Sequence, residues 1–472
     1  MANLRRFNKN PLTFFDHRNT ALPDHSKFAS PRLRSVFLFL LVLLLFTLAP
    51  AQDWVELVIN KGAPIRLAVP DFKAAGTDAQ TASLNTVFNQ TLWSDLDNSG
   101  VFEMVGKSFY PLSTPGSPND IKLDAWSNAP VNAAFVAFGN LGVNSNKLQV
   151  QGWLFDDKNT KFPQVLGKQY QEAATPEDAR LIAHRFADEI IYRLGGGISG
   201  VAESRIFFVS SRSGHKEIWA MDYDGAGQEQ LTHLNSIALS PHPSPDGSRV
   251  AFSGLTGDSW QILMYSLDLG RIVSFSRFGG DNFSPAWSSD GSKVAFSSSM
   301  RTGDPEIYVT DAAGGNVRRL TAFKGSDVSP VFNPKTNAQL AWVSGRTGLP
   351  QIFMMDGDGS NVQKVTNEGY AVSPSWSPNG MALVFSWIRH YGPGAPGGQD
   401  IYLMNAATKE FRQLTHDSGR NDFPSWSPDG RHIVFQSTRT GSEQIWTMLA
   451  DGTHQQQLTR NGKNSMPNWS YK

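Results

Sequence analysis

The histidines and acidic residues of this 472-residue chain are the side chains that could hold a metal ion or move protons. Seven histidines are scattered over residues 215–454, and none shows the H-x-x-x-H spacing that places two metal ligands on one helix face. Two acidic segments, DYDGAG (222–227) and DGDGSN (356–361), resemble the start of a calcium loop. Both lack the glutamate at the twelfth position of an EF-hand, so turn formation is the better interpretation. The sequence therefore predicts no metal ion and no cofactor.

Nucleophilic catalysis is the next chemistry that the residues could support. The chain has no cysteine, which excludes a thiol nucleophile, a disulfide and a thiolate-bound metal. It also lacks the G-x-S-x-G turn that presents the nucleophile of many serine hydrolases. The glycine-rich segment GGGISG (195–200) does not have the spacing of a dinucleotide-binding loop, and a linker is the better interpretation. These observations predict that the protein is not an enzyme.

A repeated unit of about 45 residues must position any site in the larger part of the chain. Its most regular feature is an apolar triplet, found at 206 (IFF), 250 (VAF), 294 (VAF), 340 (LAW), 383 (LVF) and 433 (IVF). Each unit adds a run such as EIYVTD (306–311), most units end in Leu-Thr or Val-Thr, and turns such as SPDG (427–430) separate the runs. Four short strands joined by such turns form one antiparallel blade. Residues 201–472 are therefore predicted to form an all-β six-bladed β-propeller.

The two ends of the repeat predict how the ring closes. The first unit begins with its second strand, RIFFVSS (205–211), and the chain ends on an unpaired first strand, MPNWS (466–470). Pairing between these two segments would complete a blade and leave no free sheet edge. We therefore expect the C-terminal strand to close the propeller, and deletion of the residues after Asn464 to unfold it.

Residues 52–200 lack this repeat and predict an N-terminal α/β domain. The predicted strands lie at 55–60, 65–69, 101–105, 133–139 and 147–155. One helix is predicted over 81–100 from its apolar spacing. A second helix starts after the capping residue Thr175, has Pro176 in its first turn and ends at Gly195.

Residues 1–51 have the features of a leader that contains a signal peptide. Arg32 and Arg34 precede an apolar core at 36–48, which is followed by Ala-Pro-Ala. This core is shorter than the roughly 20 apolar residues of a spanning helix. The sequence thus predicts export to the periplasm, cleavage near Ala51 and no membrane insertion afterwards. Basic and acidic residues are equally frequent, at 42 each, which predicts no binding to nucleic acid.

This combination of parts resembles the TolB family, whose members are periplasmic propeller proteins of the Tol-Pal system. The most specific segments are ELVINKGAPIRLAVPDF (56–72), the junction from AHRFADEIIYRLGG to SRIFFVS (183–210) and the blades, and the resemblance covers residues 54–472. It implies a non-enzymatic, monomeric scaffold. It further implies that the peptidoglycan-associated lipoprotein Pal binds one propeller face and that the inner-membrane protein TolA binds the mature N-terminus. Such a scaffold supports outer-membrane integrity and cell division.

The resemblance also implies two sets of contact residues. In the family, the residues that face Pal lie on loops just before the inner strands, where this chain has Asp281, Asn282, Ser284, Asp327, Val328 and Ser329. The segment that contacts TolA corresponds to Gln52, Asp53, Trp54, Val55 and Glu56. Three alternatives stay open from the residues alone. They are a channel-site hydrolase (sialidase-like or another glycosidase), a propeller that binds cell-wall saccharides, and a cation held in the channel.

Overall fold

The computed structural model describes residues 64–390 and 398–471, and all of them belong to one compact unit. The predicted signal peptide, the strand predicted at 55–60 and the TolA-like segment 52–56 lie outside the described residues. Among the helices described, none is both long and apolar enough to span a bilayer.

The first part of the described chain forms one mixed β-sheet. Its strands are β1 (Ile65–Ala68), β2 (Lys73–Ala74), β3 (Phe102–Met104), β4 (Phe135–Asn144), β5 (Lys147–Asp156) and β6 (Gln164–Ala173). The order across the sheet is β3, β1, β4, β5 and β6, with β2 paired to β4. Strand β1 runs parallel to β3 and β4, whereas β4, β5 and β6 pair in antiparallel fashion. The predicted α/β class is confirmed here, and the domain boundary at residue 200 stays a prediction.

Helices α1 (Ala79–Asn98), α2 (Asp124–Ser127) and α3 (Pro176–Leu194) accompany this sheet. Thr175 caps α3 as predicted, because its side chain accepts the backbone N–H of Asp178. Phe88 of α1 and Phe186 of α3 are fully buried, and both pack on Phe72, with ring centroids 4.9 and 5.8 Å away. The two long helices therefore share one core with the sheet.

Six four-stranded antiparallel sheets follow in the described chain, and they form the predicted six-bladed propeller. Blade 1 comprises β30 (Asn464–Trp469), β7 (Arg205–Ser210), β8 (Glu217–Asp222) and β9 (Glu229–Gln230). Blade 2 comprises β10 (Ala238–Pro243), β11 (Arg249–Thr256), β12 (Ser259–Ser266) and β13 (Arg271–Val273), and blade 3 comprises β14 (Asn282–Trp287), β15 (Lys293–Ser298), β16 (Glu306–Asp311) and β17 (Arg318–Arg319). Blade 4 comprises β18 (Asp327–Phe332), β19 (Gln339–Ser344), β20 (Gln351–Asp356) and β21 (Gln363–Lys364). Blade 5 comprises β22 (Tyr370–Trp376), β23 (Ala382–Ile388), β24 (Asp400–Asn405) and β25 (Phe411–Gln413), and blade 6 comprises β26 (Asn421–Trp426), β27 (His432–Ser437), β28 (Gln444–Leu449) and β29 (Gln456–Gln457).

Closure of the ring follows the prediction. The last strand, β30, pairs with β7 in antiparallel fashion, so the end of the chain supplies the first strand of blade 1. The first strand of each blade, namely β10, β14, β18, β22, β26 and β30, is called its inner strand below, because these strands border the central channel.

The repeated turn has a structural cause that is local. In blade 3 the hydroxyl of Ser288 accepts the N–H of Lys293 at 3.0 Å and donates to the carboxylate of Asp290. Equivalent serines at 244, 377 and 427 make the same pair of contacts. A serine followed two residues later by Asp or Asn thus closes the turn between the first two strands in these four blades, and Asn333 takes the place of the serine in blade 4.

The repeated Leu-Thr ending also has a structural cause. The hydroxyl of Thr321 accepts the N–H of Ile307 at 2.9 Å and donates to the buried carboxylate of Glu306 at 2.6 Å. Threonines at 232, 366, 415 and 459 accept the corresponding N–H in four other blades. Each of these threonines therefore holds the start of the third strand against the segment that leads to the next blade.

The recurring aromatic residues lie between neighbouring blades. Trp287, Phe332, Trp376 and Trp426 are each at most 7 % exposed. Each packs in a cluster with apolar residues of the preceding blade, as Trp426 does with Ala382 and Leu403 of blade 5. Large apolar side chains at this position bury the faces that a single blade would leave exposed.

Candidate functional site

Alternating connections place the propeller loops at two ends of the ring. In an antiparallel blade, the connection between the second and third strands lies at the same end as the segment that enters the next inner strand. We call this end the loop face, and it includes residues 274–281, 299–305, 320–326 and 345–350. The Ser-Pro-Asp-Gly turns and the turns between the third and fourth strands lie at the opposite end, which we call the turn face.

Asp281 and Asn282 lie on the loop face where the chain enters blade 3. The carboxylate of Asp281 accepts the backbone N–H of Trp260 at 3.0 Å, and the residue stays partly exposed. Asn282 is fully buried, and its side-chain amide donates to the carbonyl of Gly280 at 3.1 Å. Asn282 therefore has a structural role in this loop, and a contact with a partner stays a prediction.

Asp327 occupies the same position in blade 4 and is also fully buried. Its carboxylate pairs with the guanidinium of Arg346 at 2.7 Å, and this guanidinium lies 4.8 Å from the ring centroid of Phe323. In blades 6 and 1 the equivalent Asn421 and Asn464 accept from arginines of the following loop in the same way. An acceptor at this position thus ties an inner strand to an arginine of the loop between the second and third strands.

Ser284 and Ser329 lie on the wall of the central channel. Each adopts a left-handed backbone, with φ of 50° and 55°, directly before a proline. The same position is left-handed in every inner strand, at Ser240, Ser284, Ser329, Ser373, Phe423 and Met466. The strand register shifts at each of these residues, which is the mark of a β-bulge. The six bulges place one residue of each blade on the channel wall.

The channel encloses a cavity of about 450 Å³, which serine, proline and aromatic residues line. Val328 is part of the same wall. Within the described residues, no Asp, Glu, Lys or Arg lines this cavity. His242 is the wall's only histidine in that part of the chain, and burial lowers its pKa to about 4. A glycosidase requires converging carboxylates, which this wall does not supply in the described structure.

Exposed apolar side chains on the loop face of blade 4 were missed by the sequence reasoning. Phe323 is 53 % exposed beside Arg346, and Leu349 is 41 % exposed in the neighbouring loop. The sequence reasoning considered only residues just before the inner strands. A large apolar residue within a polar loop, as in TAFKGSD (321–327), is the signal that could have found Phe323.

A buried polar cluster joins α1, α3 and blade 1. The carboxylate of Asp95 in α1 accepts from the Nδ1 of His184 in α3 at 2.8 Å and from the hydroxyl of Tyr223 in blade 1. Arg180, one turn before His184, pairs with Asp224 of blade 1 at 2.7 Å. Burial opposes the charge of His184, but the hydrogen bond and charge of Asp95 outweigh it and raise the pKa of the histidine. Burial also raises the pKa of Asp95, against the hydrogen bonds that it accepts.

A second histidine–aspartate pair joins α1 to blade 6. The Nε2 of His432 donates to the carbonyl of Asn98 at 2.8 Å, and its Nδ1 lies 3.2 Å from the carboxylate of Asp429. Burial disfavours the imidazolium, yet Asp429 outweighs this effect and raises the pKa of His432. Arg431 adds a bond from its guanidinium to the carbonyl of Gly195 at 2.6 Å. We call the two polar clusters together the seam.

The free energy of unfolding is expected to fall as the pH rises from about 6 to about 9. The pKa values of His184 and His432 are raised on folding, so their protonation stabilises the folded state below the ordinary histidine pKa of about 6.5. This contribution is lost as the pH rises through the raised values. Asp188, beside the seam, has a pKa raised by burial to about 7 and acts in the same direction. Urea unfolding at both pH values measures the change.

A double variant separates the seam from other titrating groups. His184→Gln with His432→Gln should show a smaller loss of stability between the two pH values than the unchanged chain. The exposed His215, changed to Gln, is the matched control and should keep the full loss. Equal pH dependence in the double variant and the control would contradict this account.

Comparison with known proteins gives matches over both parts of the chain. Residues 192–393 and 367–472 match the family model described as the TolB beta propeller domain, and residues 55–161 match the TolB amino-terminal domain. The crystal structure of TolB from Acinetobacter baumannii superposes with a TM-score of 0.72, covering 87 % of this chain and 97 % of that one. At 23 % identity, this likeness establishes the fold alone.

Two curated relatives align over part of their length. The chain is 37 % identical over 192 residues to a Protein TolB homolog of Chlorobium chlorochromatii, covering 41 % of this chain and 42 % of the relative. It is 33 % identical over 288 residues to the Tol-Pal system protein TolB of Desulfosudis oleivorans, covering 60 % of this chain and 64 % of the relative. Each match therefore spans less than two thirds of the relative's own length. Because the propeller model alone matches more than half of the chain, this protein belongs to the TolB family.

Proposed function

We propose that this chain is a non-enzymatic scaffold of a Tol-Pal system that works in the periplasm. A Pal-like peptidoglycan-associated lipoprotein binds its propeller, and a TolA-like inner-membrane protein binds its mature N-terminus at residues 52–56. Together these contacts support outer-membrane integrity and cell division. The observation that carries the proposal is the TolB family match over both the N-terminal part and the propeller. The name of the relative from Desulfosudis oleivorans, a Tol-Pal system protein, supports the assignment to this system.

The loop face is the proposed docking surface for the lipoprotein. Phe323 and Leu349 supply exposed apolar area there, and apolar area that stays exposed on a folded surface is typical of protein interaction sites. The arginine contacts of Asp327, Asn421 and Asn464 fix the loops on the rigid blades. Binding on a surface that is already ordered loses little conformational entropy, which favours affinity.

The cellular location follows from the predicted leader. Cleavage near Ala51 releases a chain whose first residues are the TolA-like segment Gln52, Asp53, Trp54, Val55 and Glu56. This segment and the leader lie outside the described residues, so the sequence and the family support this part of the proposal.

Capture of a soluble Pal-like lipoprotein, expressed without its lipid anchor, tests the docking surface. We expect Leu349→Asp to weaken capture by roughly tenfold or more, because the contact would then bury an unpaired carboxylate. Val362→Asp is the matched control. It changes an aliphatic residue of the same blade with similar exposure, 43 % against 41 %, but on the turn face. Surface plasmon resonance measures both affinities.

Buried residues are unsuitable for this test. Lysine at 327 would place a like charge beside Arg346, and a loss of capture would then report misfolding rather than a lost contact. Phe323→Ser serves as a second loop-face variant because its ring is largely exposed. If Leu349→Asp and Phe323→Ser both bind as tightly as the control, the loop face is not the docking surface. Deletion of residues 52–56 should abolish capture of a TolA-like domain and leave lipoprotein capture unchanged.

A further inference from the structure

We propose that the central channel of the propeller binds an uncharged saccharide. The site is the cavity of about 450 Å³ between the six inner strands, and it is distinct from the apolar anchors of the loop face. Its volume lies in the range of small-molecule sites, which is roughly 300–1,000 Å³. The inference concerns a small ligand and does not depend on protein docking.

The absence of charge on the described wall selects the class of ligand. Over residues 64–390 and 398–471, no carboxylate, ammonium or guanidinium group lines the cavity. The carboxylate of Asp422 lies behind the wall, where it accepts from the hydroxyl of Ser373 and the backbone N–H of Phe423. A charged ligand would lose its hydration there without gaining an ion pair, which is strongly unfavourable. An uncharged ligand that carries hydroxyl groups avoids this loss, because neutral side chains can replace its water contacts.

Neutral hydrogen-bonding groups are distributed around the wall. Four bulge positions carry hydroxyl groups, at Ser240, Ser284, Ser329 and Ser373. The hydroxyl of Ser373 already donates to the carboxylate of Asp422 at 2.9 Å, and that of Ser240 donates to the Sδ of Met466 at 3.7 Å, so these two offer a ligand their acceptor lone pairs. A serine hydroxyl both donates and accepts, as a sugar hydroxyl does. The Nδ1 of His242 accepts the backbone N–H of Trp287 at 3.4 Å, which assigns the proton of the neutral ring to Nε2. His242 therefore adds an uncharged polar ring to the wall.

The backbone of the inner strands offers little to an extended peptide. A peptide that pairs with a strand needs free backbone N–H and carbonyl groups. The N–H of Ser284 is already bound to the hydroxyl of Ser253 at 2.9 Å, and that of Ser329 is bound to Ser297 at 3.2 Å. The N–H of Met466 is likewise bound, to the side chain of Gln436 at 3.3 Å. In these blades the backbone N–H groups are therefore not free to pair with a peptide, and a ligand would form its hydrogen bonds with side chains of the wall.

Apolar faces complete the match to a saccharide. A proline follows the left-handed residue in each inner strand, and all six of these prolines line the cavity. Phe283 and Phe423 add aromatic rings to the same wall. A sugar presents hydroxyl groups at its edge and C–H groups on its ring faces. The hydroxyl groups of blades 2–5, together with the prolines and aromatic rings of the wall, offer a counterpart to both.

A channel-filling variant tests the site directly. Phe423 has φ of 50° at the position where Ser329 has φ of 55°, so this backbone already accommodates phenylalanine in another blade. We expect the purified chain to bind the uncharged disaccharides N,N′-diacetylchitobiose and cellobiose in isothermal titration calorimetry. Ser329→Phe should weaken this binding at least roughly tenfold, because its ring occupies the space of the ligand. Ser360→Phe, at an exposed serine of a turn, is the matched control and should bind like the unchanged chain.

A folding control and an anionic probe complete the test of the channel site. A thermal melt checks that Ser329→Phe is folded, and Ser284→Phe provides a second channel-filling variant if it is not. A digalacturonate probe, which is anionic, should bind at least roughly tenfold more weakly than cellobiose. The proposal is overturned if neither neutral disaccharide binds, if the filled channel binds as before, or if the anionic probe binds equally well. Tighter binding of an uncharged Gly-Ser-Pro peptide, acetylated at its N-terminus and amidated at its C-terminus, would also overturn it, since the ligand class would then be a peptide.

Discussion

A chain that ends before residue 464 is expected not to form a folded propeller. The missing segment contains all of β30, the strand that pairs with β7 and completes blade 1. Its Trp469 is 3 % exposed, and its indole N–H donates to the hydroxyl of Ser204 at 2.7 Å. Loss of a buried tryptophan side chain alone costs about 3–5 kcal/mol. A typical domain is stable by only roughly 5–15 kcal/mol, and the truncation removes a whole strand as well.

Circular dichroism, size-exclusion chromatography and urea unfolding measure this loss. The truncated chain should show no cooperative unfolding transition and should elute as an expanded or aggregated species, because strand β7 becomes an unpaired edge. A chain that ends at Tyr471 keeps β30 entire and is the matched control. A truncated chain that unfolds with the control's midpoint and denaturant slope would contradict closure by the C-terminal strand.

The number of blades was predictable from the sequence because its determinants are local. A serine two residues before Asp or Asn closes each turn that carries this pattern, and the threonine of Leu-Thr holds the start of a third strand. Both contacts join residues at most 15 positions apart, so each appears in the sequence as a short repeated motif. Closure of the ring was predictable for a related reason. The first repeat lacks its first strand, and the C-terminal end of the chain carries a first strand that has no repeat of its own.

The orientation of the candidate contact residues was not predictable in this way. The sequence places Asp327 at the start of an inner strand, which is where the structure has it. Its side chain is buried because Arg346, 19 residues away, extends over it. The left-handed Ser284 and Ser329 also contradict the usual preference of a residue before proline for extended backbone. Serines of the neighbouring blades, which the sequence does not place beside them, hold these bulges.

The seam was invisible in the sequence for the same physical reason. Asp95 lies 89 residues from His184 and 128 residues from Tyr223, and their contact depends on how two helices meet blade 1. The sequence reasoning treated α1 and α3 only as amphipathic helices with apolar faces. A polar residue within such a face, as Asp95 is, can mark a contact with a further element.

Replacing Asp95 by alanine is expected to destabilise the protein by about 3–5 kcal/mol, because removal of one partner leaves a buried charge or donor unpaired. The variant leaves the imidazole Nδ1 of His184 and the hydroxyl of Tyr223 without their shared acceptor in a buried site. Tyr223→Phe removes one hydrogen bond and should cost only about 0.5–1.5 kcal/mol. Asp97→Ala, on the exposed side of the same helix, is the matched control and should change stability by less than about 0.5 kcal/mol.

Urea unfolding at about pH 7 gives the three free energies for comparison. The order of the three losses in the free energy of unfolding tests whether the seam holds the N-terminal part and the propeller together or is a polar cluster that contributes nothing to stability. If the seam holds them together, Asp95→Ala should also speed proteolytic cleavage within the glycine-rich segment 195–200. That segment is already partly exposed, and it gains local mobility when the contact opens and the bond from Arg431 to Gly195 is weakened. A loss for Asp95→Ala no larger than that for Asp97→Ala would mean that Asp95 contributes nothing to this contact. The imidazole of His184 and the hydroxyl of Tyr223 would then have to donate their hydrogen bonds to other groups.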